Sequence, residues 1–240
     1  MGILRGSFHL FQEGAPSPLS APSELILKFI RRQIQPGSIL ELGGGQGAYS
    51  FALHREGLDV TVADINSDHL EIAAKAGLRT LLVEPDQSFP VRAWDNVVLI
   101  EVLEHLEDPA RLLATACGAA RKRVIVTVPR SEDFSKLFSM RLSYNHIAVT
   151  DHLRHFGEEE IRDLLAPWEG RYSIERVEPI HPESSWTMVR ASFRSRILAE
   201  LCLLPLRLAN RLRWAHPLYH TRFLISIDLR QEIDTTKARS

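Results

Sequence analysis

The sequence predicts an α/β fold: a parallel, doubly wound sheet with helices on both faces, in three layers. Three observations lead there. Between Ser23 and Val128, five short runs of strand character alternate with four helical runs on short connections, the order that builds a parallel sheet from right-handed crossovers. A glycine-rich bend joins the first strand to the helix that follows it. The chain has 240 residues, 45% apolar and 25% charged, a balance that buries a real core within one large domain.

Each element has its own local reason. Residues 1–20 are rich in Gly, Pro and Ser and read as an irregular lead-in. From Ser23 to Ile34, Leu25, Ile26, Phe29, Ile30 and Ile34 recur at helical intervals, and Pro36-Gly37 stops the run. Ser38 to Leu42 is a short buried strand that runs into Gly43-Gly-Gly-Gln-Gly47, and Ala48 to Glu56 is a helix closed by Gly57. Asp59 to Asp64 is the second strand. Asn66 or Ser67 caps the next helix, which Gly77 ends. Arg79 to Val83 and Asp95 to Glu101 are the third and fourth strands. Asp108-Pro109 supplies a cap and a first-turn proline for a helix through Ala120, and Arg123 to Val128 is the fifth strand. Beyond it the periodicity loosens over Arg130 to Thr150. Glu158 to Leu165 is a helix whose three leading glutamates suit the positive end of its dipole. Ser173 to Ile180 and Arg222 to Arg230 read as the last two strands, separated by an insertion over residues 181–221. The expectation is therefore a single domain over 1–240.

Composition excludes several function classes. A formal net charge of −1 gives no global field toward nucleic acid or anionic membrane, and no basic stripe carries the interleaved aromatics of a nucleic-acid groove. Cys117 and Cys202 are too few for a disulfide framework, which points to a reducing cytoplasm. The first residues lack the uninterrupted apolar stretch of a signal peptide, and no window holds the roughly 20 apolar residues that span a bilayer.

Glu41-Leu-Gly43-Gly-Gly45-Gln-Gly47 sits between a strand and a helix, where glycines let backbone turn sharply and come close to a ligand. The helix start offers N–H groups to a polar or anionic group. Gly43-x-Gly45-x-x-Ala48 also has the spacing of the dinucleotide fingerprint. Asp64, 21 residues past Gly43 at the end of the second strand, is placed to hydrogen-bond ribose hydroxyls. The bland alternative is a tight turn with a capping aspartate. Strand, glycines, helix and acid in that order favour a nucleotide-type ligand.

After the fourth strand comes Glu101-Val-Leu-Glu-His105-Leu-Glu-Asp-Pro109. With this segment in view, the chain resembles the class I S-adenosylmethionine-dependent methyltransferases, in particular the branch of ubiquinone-biosynthesis O-methyltransferases and small-molecule enzymes. ELGGGQG resembles that family's first motif, VADIN its second and DNVVLIEVLEHLEDP its post-strand-four segment; VTVPR resembles the end of its fifth strand, and DHLRHFGEEEIRDLL a segment common in the branch. The resemblance covers about Ser23 to Ile180 and the final strand. It implies a Rossmann-like sheet of seven strands, mostly parallel, with the last antiparallel and a helical insertion before it. It also implies S-adenosylmethionine as cofactor: Glu41, Gly43, Gly45 and Gly47 along the methionine portion, Asp64 on the ribose, Ile65 against the adenine, and Glu101 and Val102 near the sulfonium. The acid that holds the adenine amino group falls at Asp86 or at Glu84, because this segment is shorter than usual. Glu41 fits the same cofactor on charge, since a carboxylate attracts an ammonium and a sulfonium but repels the pyrophosphate of NAD.

Methyl transfer is an in-line displacement at a carbon already activated by positive sulfur, so alignment and desolvation carry much of the catalysis. A base is needed only for a protonated acceptor such as a hydroxyl. His105 is the best-placed candidate; its alternative is a histidine that caps local backbone. His146, His152 and His155 crowd one stretch, but no Cys pair or carboxylate motif completes a zinc set by spacing, so no metal is expected. His152, Arg154 and His155 are expected along the substrate pocket. Arg154 reads equally as a contact to an acidic substrate group or the cofactor carboxylate and as a surface arginine paired with Asp151 or a glutamate.

Within the insertion, Val189, Phe193, Ile197, Leu201, Leu204, Leu208 and Leu212 form one helical stripe flanked by six arginines between Arg190 and Arg213. Residues 186–213 therefore read as a lid over the site or a homodimer contact, with peripheral attachment to an anionic membrane as the alternative. The leading reading is methyl transfer to a small-molecule acceptor, with a hydroxyl of a lipid-like or secondary metabolite in view. Two rivals stand beside it: an NAD(P)-dependent oxidoreductase on the same glycine loop, which lacks a Tyr-x-x-x-Lys pair, and a noncatalytic S-adenosylmethionine-binding partner subunit.

Overall fold

The computed structural model describes residues 21–84, 89–131, 152–179, 201, 204–205 and 220–230. The lead-in, Asp86, His146, Asp151 and all of the insertion except Leu201, Leu204, Pro205 and its last two residues lie outside them. Among the described residues the chain runs through α1 (Glu24–Gln33), β1 (Ile39–Leu42), α2 (Ala48–Arg55), β2 (Val60–Asp64), α3 (Ser67–Lys75), β3 (Arg79–Leu82), β4 (Trp94–Ile100), α4 (Pro109–Ala119), β5 (Ala120–Pro129), α5 (Glu158–Leu165), β6 (Tyr172–Pro179) and β7 (His220–Asp228). A single sheet has the order β3-β2-β1-β4-β5-β7-β6. β1 pairs in parallel with β2 and β4, and β4 with β5. β7 runs antiparallel to both β5 and β6. The seven-stranded, mostly parallel sheet with an antiparallel last strand is thus present as the resemblance implied.

The strand pleat sends alternate residues to opposite faces. Leu40 and Leu42 of β1 join a core with Leu113 and Ala116 of α4 and Ile161 and Leu165 of α5. Ile39 packs on the other face with Ile26, Phe29 and Ile30 of α1 and Leu53 of α2. Val62 meets Leu70 and Ala73 of α3. All four residues of β1 are buried, as expected of a central parallel strand covered on both faces. β3, at the sheet edge, leaves Leu82 54% exposed. The structure moves one boundary appreciably: β5 begins at Ala120 rather than Arg123, because Trp94 of β4 already pairs with Ala120 across a register irregularity.

Candidate active site

The site lies at the carboxyl ends of β1, β2 and β4, where wound sheets bind their ligands. The bend after β1 is locked onto β2: the amides of Gly43 and Gly44 both donate to the Ala63 carbonyl, at 2.7 and 3.2 Å. Gly43, Gly45 and Gly47 have φ of +76°, +53° and +82°, the left-handed region that side chains disfavour. At Gly43 the close approach is to protein, since an added Cβ would lie 2.8 Å from Val102 Cγ2. At Gly45 the space is open: the nearest atom to an added Cβ is His69 Nδ1, 3.7 Å away. That open face is where a ligand can approach backbone.

Two carboxylates at this bend are held firmly. Asp64 is 1% exposed; its Oδ2 accepts from Gly45 N at 2.7 Å and its Oδ1 from Asn66 N at 2.9 Å. Asn66 in turn caps α3 by accepting from the amides of Asp68 and His69. Glu41 is buried and turned toward α2, where the Ser50 amide donates to Oε2 at 3.0 Å and the Ser50 hydroxyl donates to the same oxygen. Burial pushes the Glu41 carboxyl up to about 7, with the Ser50 bonds opposing and the Asp64 charge adding to the rise. Its nearest polar neighbour is therefore the helix, not the mouth of the bend.

Glu101 stands past β4 with φ +53°, strained for a residue with a Cβ. The strain is held by bonds: Glu101 N donates to the Thr127 carbonyl at 3.0 Å, the Thr127 hydroxyl donates to Glu101 Oε1 at 2.9 Å, and Arg222 Nη1 lies 3.2 Å from Oε2. Arg222 and Thr127 were not singled out by the sequence reading. Nothing near position 101 in sequence points to Arg222, which arrives on β7. Tyr49 also escaped notice: its hydroxyl accepts from Ser23 N at 3.2 Å, and burial raises its pKa.

Val102 is buried, and Leu103–His105 form a 3₁₀ turn with Glu104 1% and His105 6% exposed. The amides of Leu153 and Arg154 both donate to the Glu104 carbonyl, at 2.8 and 3.0 Å, so the segment carrying His152 is clamped to this turn. His105 and His152 cross edge to face, with ring centroids 4.8 Å apart. His155 is exposed instead, and Arg154 donates to the Glu107 carbonyl. Ile65 is half-buried after β2, and Glu84 is exposed just past β3. Of the candidates named from sequence, the fold gathers Glu41, Gly43, Gly45, Gly47, Asp64, Glu101 and Val102 around one bend, and His105 with His152 beside it.

Known proteins share this frame. A putative methyltransferase from an antibiotic biosynthesis pathway of Anabaena variabilis superimposes with a TM-score of 0.58 at 17% identity, over 89% of this chain and 100% of that one. A SAM-dependent methyltransferase from Archaeoglobus fulgidus gives 0.57 at 17% identity, over 85% and 93%. At such identities the likeness speaks for the fold. In sequence, the ubiquinone biosynthesis O-methyltransferase of Photorhabdus laumondii is 32% identical over 108 residues, covering 40% of this chain and 45% of that protein; the chain spans about half the length of the curated relatives it matches. The family model for the methyltransferase domain matches residues 12–167, which contain the glycine bend, Asp64, Glu101 and both crossed histidines, and the chain belongs to that family.

Proposed function

We propose that the chain transfers a methyl group from S-adenosylmethionine to a small-molecule acceptor, with a hydroxyl as the receiving group. The observation that carries this reading is the bend after β1, where one glycine has an open face and buried Asp64 closes the far side. A sulfonium nucleotide suits such surroundings, because the carboxylates of Asp64 and Glu101 attract positive charge and would repel a pyrophosphate. In this reading Asp64 exchanges part of its hold on the loop for ribose hydroxyls, Ile65 lies against the adenine and Asp86 or Glu84 meets its amino group. Gly43, Gly45 and Gly47 carry the methionine portion, Glu101 and Val102 flank the sulfonium, and the acceptor meets the His105–His152 pair. The relatives named as O-methyltransferases favour oxygen as the acceptor atom.

Among the described residues, no helix is long and apolar enough to cross a membrane. A cytoplasmic setting fits the two cysteines of the chain, too few for a disulfide framework. Leu201 and Leu204 are each 60% exposed, apolar surface that suits the lid or dimer contact proposed for residues 186–213. Flotation with anionic vesicles separates that role from membrane attachment.

Calorimetric titration tests the cofactor. The expected result is binding of S-adenosylhomocysteine and no heat with NADH. Gly45→Arg, which fills the open face at a left-handed φ, should abolish the binding. Asp64→Ala should weaken it by about 1–3 kcal/mol through lost charge-assisted bonds. Wild-type affinity in both variants would refute the assignment.

A further inference from the structure

We propose that Arg222 sets how strongly the site prefers S-adenosylmethionine over its demethylated product: paired with Glu101, it offsets part of that carboxylate's pull on the sulfonium, a role that rests on the methyltransferase reading above. The alternation of β4 sends Val98 and Ile100 toward α1 and α2, and Val97 and Leu99 toward α4 and α5. Continued, it would carry Glu101 to the side of Leu99. The φ of +53° at Glu101 ends that alternation, and its carboxylate meets Thr127 and Arg222 instead. Both partners reach it by strand phase. Thr127 alternates in register with Ile125 of β5, and Arg222 with Leu224 of β7. Ile125 and Leu224 pack on the α1 face, so the pleat puts Thr127 and Arg222 there too.

The pair stands where the glycine bend meets β4. Val102, the next residue, lies 2.8 Å from where a Cβ on Gly43 would be. The charges of Arg222, Glu101 and Glu41 all act on the Tyr49 hydroxyl in the first turn of α2. Both Glu101 oxygens are engaged, Oε1 by the Thr127 hydroxyl and Oε2 by the guanidinium 3.2 Å away, so the carboxylate is fixed in place. Bound S-adenosylmethionine supplies a methyl on positive sulfur. In transfer, a lone pair of the acceptor oxygen bonds the methyl carbon, the methyl–sulfur bond breaks with its electron pair kept on sulfur, and the hydroxyl proton goes to solvent. Sulfur thus loses its positive charge on the way to the thioether. A bare carboxylate beside it would hold the reactant more tightly than the transition state, which slows the step. Arg222 reduces that excess hold and leaves the carboxylate where it is.

Calorimetry on the full chain measures Kd for S-adenosylmethionine and for S-adenosylhomocysteine, and the readout is their ratio. The two ligands differ by one methyl and one charge, so a change in packing alone moves both alike. Arg222→Gln should shift the ratio toward S-adenosylmethionine by at least about fivefold, whereas Arg222→Lys should change it by less than about twofold. Glu101→Gln leaves the arginine uncompensated and should shift the ratio the other way by at least about fivefold. Both glutamines together should return it to within about threefold of the wild type. An unchanged or reversed ratio in either single variant overturns the proposal while the methyltransferase reading stands. Should Arg222→Gln lose its fold, Glu101→Gln decides by the same criterion. A wild type that binds neither ligand brings down the methyltransferase reading and the role of Arg222 with it.

Discussion

At position 41 the alternation of a strand decides what a carboxylate can do. Leu40 and Leu42 face α4, so Glu41 shares the opposite face with Ile39 and meets Ser50 of α2. The sequence placed a carboxylate beside the glycines correctly; that it faces a helix depends on strand phase and on the packing of α2. Its carboxyl titrates near 7 in the fold against an ordinary 4.5, so the native state holds this proton more tightly than the unfolded chain. The associated stability is complete below the ordinary value and is lost as pH rises to 7, by about 3 kcal/mol. Urea unfolding at pH 4.5 and 7.5 should show Glu41→Gln losing less stability over that interval than the wild type by roughly this amount; equal losses would contradict the assigned burial cost. Glu101 teaches the complementary lesson. Its residue type was legible, but its left-handed backbone and its tie to Arg222 were not.

Helices were the most legible elements, because their signals are local. α4 starts where Asp108-Pro109 predicts it: the Asp108 side chain accepts from Arg111 N at 3.0 Å, and the proline occupies the first turn, where its missing N–H costs nothing. Asp108→Ala should lower stability by about 1 kcal/mol, read as a fall in unfolding temperature with cofactor affinity retained. α5 matches its expected span over Glu158–Leu165. Its leading acids do more than answer the dipole. Glu160 Oε2 accepts from Gly157 N at 3.0 Å, and Glu158 pairs with Arg162 one turn on and with Arg176 of β6. Strands were legible in position but not in environment. β1 and β3 are equally short, yet one is wholly buried and the other is mostly exposed, because rank in the sheet comes from the other strands.

For the whole molecule, β7 is the element that local pattern could not place. It enters antiparallel between β5 and β6 and pairs with both over most of its length. Phe223 is fully buried within it, and the Arg130 guanidinium sits 5.4 Å from its ring centroid. Phe223→Ala should destabilise the protein by about 3–5 kcal/mol through the cavity it leaves, whereas Leu82→Ala on the open edge should stay within about 0.5 kcal/mol. Denaturant midpoints decide between them, and a small Phe223 effect would mean that the β5–β7 seam is not part of the cooperative core.

The sequence by itself determined the order of strands and helices, the glycine bend with Asp64 at its side and the family resemblance, because these rest on residues close together along the chain or on motifs in fixed order. The tertiary structure alone decided that Arg222 reaches Glu101, that Glu41 turns to Ser50, and that His152 joins Glu104 and His105 while His155 stays exposed. Those pairings follow from sheet order and strand phase, which set distances between residues far apart in sequence and leave no periodic trace in either partner's neighbourhood.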